Sequence, residues 1–471
     1  MGSLLEFKRR YVKAIQNGNA AIFAGAGLSR SSGFVDWKDL LRDLAEAVQL
    51  DVDKEADLVE VAQYYCNEKG RRFEINDRIL NSFVTDSQKN INIHLLARMP
   101  IHTYWTTNYD STLETILKQH QKRVDVKITP ESLATSLSGS DVTVYKMHGD
   151  YTNPAECVIT KDDYEMYNEK RQLFTTALQG DLVSKTFLFI GFSFEDPNLK
   201  YILSRIRVLL NENARTHYCF FKRLDRNDYS NDEDYYYDLN KQSLRIHDLE
   251  RYGIEAILLN SYDEITSILK DIFVGYKSNS IFISGSAQEY GETWNKTAPN
   301  FIKELVRELY YLDYRIITGH ARGIGSYIIS SVIEECQSDV TKLEKRLIIK
   351  AFPYEDKDRD DYELIKTEYR QGIFEYAGIA IFMFGNKLID GEITLADGVY
   401  EEYKIAKQAN AFIIPIGSTG YTAKKIWDDV YENIDSYPYL SSEIMTLQNS
   451  TNPQRIIQSI KNILLHIQNT L

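Results

Sequence analysis

Four short segments in the first half of this chain concentrate residues that could do chemistry: Gly25-Ala26-Gly27-Leu28-Ser29, Thr107-Asn108-Tyr109-Asp110, His148-Gly149-Asp150 and Ser193-Phe194-Glu195-Asp196. Gly25 and Gly27 permit a tight turn and close backbone approach to a phosphate, and a helix that follows adds N–H groups and positive dipole potential. Asn108 can hold a water or a hydroxyl, Asp110 can accept from one, and His148 can take a proton near neutral pH. Each group also has a plainer use. Asn108 and Asp110 suit caps of the helix beginning at STLETILKQH, and His148 suits a packed histidine with one hydrogen bond. In AIFAGAGLSRSSGF, residues 21–34, Arg30 stands where a G-x-G-x-x-G fingerprint has its third glycine, which argues against a hydride-transfer site.

These segments gain meaning from the elements that must position them. Short β-branched and aromatic runs at 20–25, 102–107, 142–147, 186–192, 217–221 and 254–260 read as strands, with helical periods such as WKDLLRDLAEAVQ (37–49) between them. That alternation predicts an α/β fold with a doubly wound parallel sheet. The polar, tyrosine-rich stretch 225–240 reads as an exposed loop. In open parallel sheets ligands bind beyond the carboxyl ends of the strands, so all four segments would meet along one edge. FVGYKSNS, 273–280, reads as a boundary, after which the alternation restarts at 280–285, 314–319, 346–352, 378–385 and 411–417. The expected organisation is two Rossmann-like parallel-sheet domains in series, 1–275 and 279–471.

Length and composition bound the function. The 471 residues exceed one usual domain, and 43% hydrophobic with 26% charged residues is the balance of a soluble chain. No apolar run approaches the roughly 20 residues of a membrane helix, and MGSLLEFKRR has no apolar signal core, so neither a membrane nor export is expected. A net charge of −13 disfavours nucleic acid as a partner. Four cysteines with no C-x-x-C pair signal neither a disulfide scaffold nor a metal site, which suits a cytoplasmic location.

The first-half motifs resemble those of sirtuins: Gly25-Ala26-Gly27-x-Ser29 with Gly33-Phe34-Val35-Asp36-Trp37, then Thr107-Asn108-Tyr109-Asp110, then His148-Gly149, are similar in type and order to GAGxS…GIPDF, QNID and HG. The resemblance implies NAD+ as a substrate that is cleaved between nicotinamide and ribose. It implies catalytic roles for Asn108, His148 and Asp110, and NAD+ contacts from Ala24, Gly25, Ala26, Gly27, Ser29, Asp36, Thr107, Asn108, Gly191 and Ser193. Thr107, Val35 and Lys38 replace the sirtuin Gln, Pro and Arg, and the zinc module of two C-x-x-C pairs is missing. Those departures favour water over an acetyl-lysine as nucleophile and imply no metal.

Over its whole length the chain resembles the bacterial Thoeris anti-phage effectors, which join a sirtuin-like NAD hydrolase to a SLOG domain. In the second half Ser284-Gly285-Ser286 and the run from Gly319 through Arg322, Gly323, Gly325 and Ser326 follow strands, where glycines and hydroxyls suit phosphate and ribose. Ala396-Asp397-Gly398-Val399-Tyr400-Glu401-Glu402 stands in place of the PGGxGT signature of catalytic SLOG relatives, which implies sensing. By resemblance the pocket takes a cyclic ADP-ribose isomer made by a TIR-domain partner, with Arg370 and Lys387 on its pyrophosphate and Glu402 on ribose hydroxyls. A homo-oligomer, a tetramer by resemblance, is expected. Two other classes stay open: a zinc-free deacylase or ADP-ribosyltransferase, and a noncatalytic nucleotide-sensing scaffold.

Overall fold

The computed structural model describes residues 3–30, 37–55, 57–70, 72–83, 89–192, 194, 196–210, 215–337, 339–351 and 361–470. The chain divides into two compact units, Met1–Phe273 and Val274–Leu471. The first is built on β1 Ala20–Ala24, β2 Thr103–Thr106, β3 Val124–Lys127, β4 Val142–Lys146, β5 Thr186–Ile190, β6 His217–Lys222 and β7 Ile254–Leu259. All neighbours pair parallel, in the order β3-β4-β2-β1-β5-β6-β7. All five residues of β1 are buried, as expected of a central parallel strand covered on both faces.

One side of this sheet packs Phe23, Trp105, Phe187 and Phe189 against Phe174, Leu178 and Leu182 of the helix Gln172–Ser184. A separate apolar cluster is made mostly by the helices Trp37–Ala47, Leu58–Lys69 and Arg72–Ser82, which follow β1 in the chain, and Tyr109 joins it.

The second unit carries β8 Ser280–Ser284, β9 Arg315–Thr318, β10 Leu347–Ile349, β11 Ile379–Phe382, β12 Asn386–Ile389, β13 Glu392–Leu395 and β14 Phe412–Pro415. Five of these make a parallel sheet in the order β10-β9-β8-β11-β14, while β12 and β13 form an antiparallel hairpin. In the first sheet the progression of strand order reverses between β1 and β5, and in the second between β8 and β11. The crevices at those two reversals are where a doubly wound sheet takes its ligand.

Two parallel-sheet units are present, as the sequence predicts, with three differences. β3 was not expected: Val-Asp-Val-Lys is four residues long, half polar and lies at the sheet edge. The β12–β13 hairpin was also not expected, although Asp390-Gly391 at its turn, with φ of 51° and 85°, is a strong hairpin signal. The supposed loop 225–240 is helical from Asp232, because Asn231 caps the helix Asp232–Glu250 by accepting from Asp234 N, and three acidic residues in its first turn complement the dipole. Among the described residues no helix is long and apolar enough to cross a membrane.

His217 at the start of β6 sets a pH limit on the first fold. Its Nδ1 accepts from Phe187 N at 3.2 Å, so the ring must be neutral, and burial pushes its pKa down to about 4. The unfolded chain therefore binds more protons than the folded one between pH 6.5 and 4, and stability falls as pH drops through that window. We expect a loss of up to roughly 3 kcal/mol from this group. Denaturant titrations at pH 7 and 4.5 will show the loss, and His217→Asn, which keeps an acceptor but cannot charge, will shrink it.

Candidate active site

The register of the first sheet fixes the site. Ala24 pairs with Thr106 and with Ile190, and Thr106 pairs with Lys146, so the chain leaves β1, β2, β4 and β5 at one level. Asn108 and His148 each lie two residues past a paired position, on adjacent strands. Gly25, Gly27 and Gly191 interlock at the reversal: Gly25 N donates to Ile190 O at 2.9 Å and Gly27 N to Gly191 O at 2.9 Å. A Cβ on Gly191, whose φ is +66°, would lie 2.2 Å from Leu28 N. Only glycine allows the two exit loops this close.

Asn108 ties these loops to β2. Its Nδ2 donates to Gly25 O at 3.0 Å and to Ser29 Oγ at 2.9 Å, and its own N–H donates to Thr106 Oγ1 at 2.9 Å. It does not cap the following helix. Asp110, one residue before the N-cap Ser111, accepts from Thr112 N at 3.0 Å at the start of the helix Thr112–Gln119. Ala24, Ser29, Asp110 and His148 are buried, Thr107 and Asn108 half-buried, and Gly191 exposed. Asp36 and Ser193 lie outside the described residues.

Beneath these loops sits a fully buried lysine that sequence reading did not single out. Lys146 Nζ donates to Tyr109 O at 3.0 Å, Asp110 O at 2.7 Å, Glu114 Oε1 at 3.0 Å and the Asp150 carboxylate. Burial alone would depress its pKa; Glu114 and Asp150 outweigh that and hold it above its ordinary value. Asp150, also buried, is kept below the usual carboxylate range by Lys146 and by the N–H and hydroxyl of Thr152. Burial pushes Glu114 up, and among the described residues its Oε2 has no hydrogen-bond partner.

The His148 ring is 1% exposed, with Tyr164 and Tyr167 edge-on at centroid distances of 5.5 and 6.1 Å. Burial lowers its pKa below the ordinary imidazole value, against the opposing pull of Asp196. The imidazole is thus neutral at physiological pH, the form that can accept a proton. An open cleft of about 540 Å3 lies past β5 and β6, with Phe192, Lys222, Arg223, Lys241 and Tyr262 in its lining. The four cysteines are free thiols. Among the described residues no group of three or more His, Cys, Asp or Glu could hold a metal.

In the second unit Arg370, Lys387 and Glu402 converge on the first turns of the helix Asp397–Gln408. Ser284 Oγ donates to Glu402 Oε2 at 2.5 Å, and Lys387 Nζ donates to Asp397 Oδ2 at 2.6 Å. Arg370 is buried on the helix Tyr362–Phe374, and a Cβ on Gly398 would lie 3.2 Å from its Nη2. Burial raises the Glu402 carboxyl, while the Ser284 hydroxyl and the Arg370 charge pull it back. Ser286 Oγ donates to Asn386 O at 3.0 Å, beside Lys387. Gly323, at φ +74°, abuts Ala287, and Gly325 abuts His320, so both glycines serve close packing. Gly285 likewise backs onto Met383 O, whereas Gly319 has room, and Arg322 and Ser326 are exposed.

These features define a two-unit protein with a sirtuin-type nucleotide crevice followed by a SLOG-type one. Residues 102–257 match the SIR2-like domain and residues 264–467 the Sir2- and TIR-associating SLOG family. The chain is 45% identical over 433 residues to a protein of Bacillus cereus (strain MSX-D12) named NAD(+) hydrolase ThsA, covering 92% of this chain and 90% of that one. A protein of the same name from Acinetobacter baumannii (strain 532279) is 44% identical, over 91% and 90%. The chain belongs to the ThsA family of NAD(+) hydrolases. A more distant likeness, 26% identical over 65% of this chain and 30% of the other, is to Defense-associated sirtuin 2 of Bacillus subtilis.

The interlocked glycines make a direct prediction. Gly191→Ala forces a side chain into left-handed backbone against Leu28 N, and should cost about 2–4 kcal/mol or prevent folding. Urea unfolding of the purified variant measures it.

Proposed function

We propose that this chain hydrolyses NAD+ to nicotinamide and ADP-ribose, and that its second unit switches this activity on. The observation that carries the first part is Asn108 bridging Gly25 and Ser29 at the sheet reversal, with a neutral, buried His148 at the neighbouring strand end. The bond between ribose C1′ and the nicotinamide nitrogen breaks with its electron pair going to the ring, which leaves neutral, through an oxocarbenium-like transition state. Water then bonds to C1′ and gives up one proton. Asn108 holds the water or the ribose hydroxyls, and His148 accepts the proton. Asp110, one oxygen of which accepts from Thr112 N, orients the ribose with the other, and Asp36 orients the nicotinamide amide. Negative charge there favours a cationic centre. The residues 24–29, Thr107, Gly191 and Ser193 complete the NAD+ contacts, and the reaction needs no metal.

The activator is a cyclic ADP-ribose isomer made by a TIR-domain partner, a reading supported by the match of this unit to a family described as Sir2- and TIR-associating. Arg370 and Lys387 bind its pyrophosphate, Glu402 and Ser284 its ribose hydroxyls, and the loops 285–286 and 319–326 enclose it. Activator must bind the active state more tightly than the resting one, since equal affinity shifts nothing. The burial of Ser29, Asp110 and His148 supports a resting state that is closed to substrate. A homotetramer provides the bistable interface that converts pocket closure into opening. NAD+ loss in an infected cell is then the defensive outcome.

His148→Ala and Asn108→Ala should each lower NAD+ turnover by about 10²–10⁴-fold in a protein that still folds. Chromatography of nicotinamide and ADP-ribose, with circular dichroism as the folding control, tests this, and parental turnover in either variant rejects the assignment. Arg370→Ala should abolish activation by cyclic ADP-ribose isomers and weaken their binding at least tenfold. Calorimetric titration beside the turnover assay reads both, and undiminished binding would remove Arg370 from the pocket.

A further inference from the structure

Asp196, four residues past Phe192 on the exit from β5, was noted in the sequence only as part of a polar strand end. Its side chain is 8% exposed and three groups meet it. Oδ2 lies 3.2 Å from His148 Nε2 and accepts from Tyr164 OH at 3.2 Å, while Oδ1 accepts from Leu199 N at 2.8 Å, capping the helix Pro197–Leu210. Among the described residues neither ring nitrogen of His148 makes an aligned hydrogen bond. The ring is therefore at ion-pair distance from a fixed carboxylate but not yet docked on it. Hydrogen bonds of this kind often tighten only when substrate binds.

We infer that Asp196 is a positioning residue for His148: its carboxylate, anchored by Tyr164 and by the helix it caps, holds the proton on Nε2 and leaves Nδ1 as the atom that takes a proton during NAD+ cleavage. The inference rests on the NAD+-hydrolase reading above. A carboxylate against one ring nitrogen selects the tautomer that protonates that nitrogen, and stabilises the imidazolium once the other nitrogen has accepted a proton. Among the described residues the other charged groups that act on His148 are Arg171, which lowers its pKa, and Asp163, which raises it; Tyr164 and Tyr167 face the ring as neutral phenols. Asp196 is, among the described residues, the charged group at contact distance. The step balances without a further reagent: water donates its proton to Nδ1 as its oxygen bonds to C1′, and the imidazolium so formed returns that proton to solvent.

A cap and a positioning residue respond differently to substitution. Asn and Ser cap helices as well as Asp does, so Asp196→Asn and Asp196→Ser keep the helix start and remove the charge. In the full-length protein, assayed with NAD+ and cyclic ADP-ribose isomers, we expect both variants to fold, to keep KM within about threefold and to lose about 10²-fold or more in kcat. The acid limb of the pH profile of kcat/KM should move to lower pH, because a group that raises the His148 pKa is gone. Parental kcat with an unmoved limb would make Asp196 a helix cap only. If wild-type protein makes no ADP-ribose under any of these conditions, the hydrolase reading falls and this inference with it; an active wild type beside unaffected variants overturns the inference alone. Should both variants misfold, the tautomer of His148 in 15N-imidazole-labelled wild type, assigned by its disappearance in His148→Ala, decides: protonated Nε2 supports the role and protonated Nδ1 overturns it.

Discussion

An ammonium group with no access to water is the constraint on which the candidate active-site edge depends. Lys146 is fully buried, so its charge must be met inside the protein, and the ways of meeting it are few. Its donors go to the Tyr109 and Asp110 carbonyls, to Glu114 and to Asp150. Those partners come from the loop after β2, the helix after that loop and the loop after β4. One side chain thus fixes two loops, and Asn108 and His148 sit on them. Replacing such a pair by apolar groups can be neutral for stability, but removing one partner leaves a buried charge. The value of Lys146 is positional: hydrogen bonds to carbonyl oxygens specify direction in a way that apolar packing does not.

On the opposite flank of Asn108 the constraint is steric. Gly25 and Gly191 meet backbone to backbone, and Gly27 donates to Gly191 O, so the exit loops of β1 and β5 form one unit. Asn108 closes the gap between this unit and β2 through Gly25 O and Ser29 Oγ. A nucleotide entering the crevice meets backbone held from both sides, by charge under β2 and β4 and by glycine contact between β1 and β5. Such preorganisation is what electrostatic stabilisation of a developing cation requires, since dipoles already fixed need no reorganisation during the reaction.

Much of this was legible in the sequence, for a physical reason. Central parallel strands are buried on both faces, so 20–25 and 186–192 stand out as unbroken apolar runs, and residues after such runs must lie at the ligand edge. That argument leads to Asn108, Asp110 and His148. It cannot lead to Lys146: a lysine at the end of VTVYK reads as a solvated charge until its neighbours are known. Asp196 was harder still, since an Asp before Pro197 reads as a helix cap, which it also is. β3 was lost because its four residues alternate with charge at an edge. The β12–β13 hairpin was lost although Asp390-Gly391 announced it, because Lys387 within it had been read for its charge and not for its place in a strand.

The two crevices differ in how their charges rest, which bears on what each can do. At the candidate active-site edge the cation is buried beneath the loops and satisfied by protein, so it is unavailable to a ligand. In the second unit Lys387 is paired with Asp397 at a partly exposed position, where an ion pair is worth only about 0–1 kcal/mol. An anionic ligand can take Lys387 from Asp397 at little cost. Arg370, in contrast, is buried near a Glu402 carboxyl that burial raises toward neutrality. A phosphate there would meet a guanidinium beside a carboxyl to which Ser284 already donates. The polar groups of the first crevice are thus held by buried partners, whereas one ion pair of the second is partly exposed and can exchange its partner, which is what the proposed sensing role would require of it.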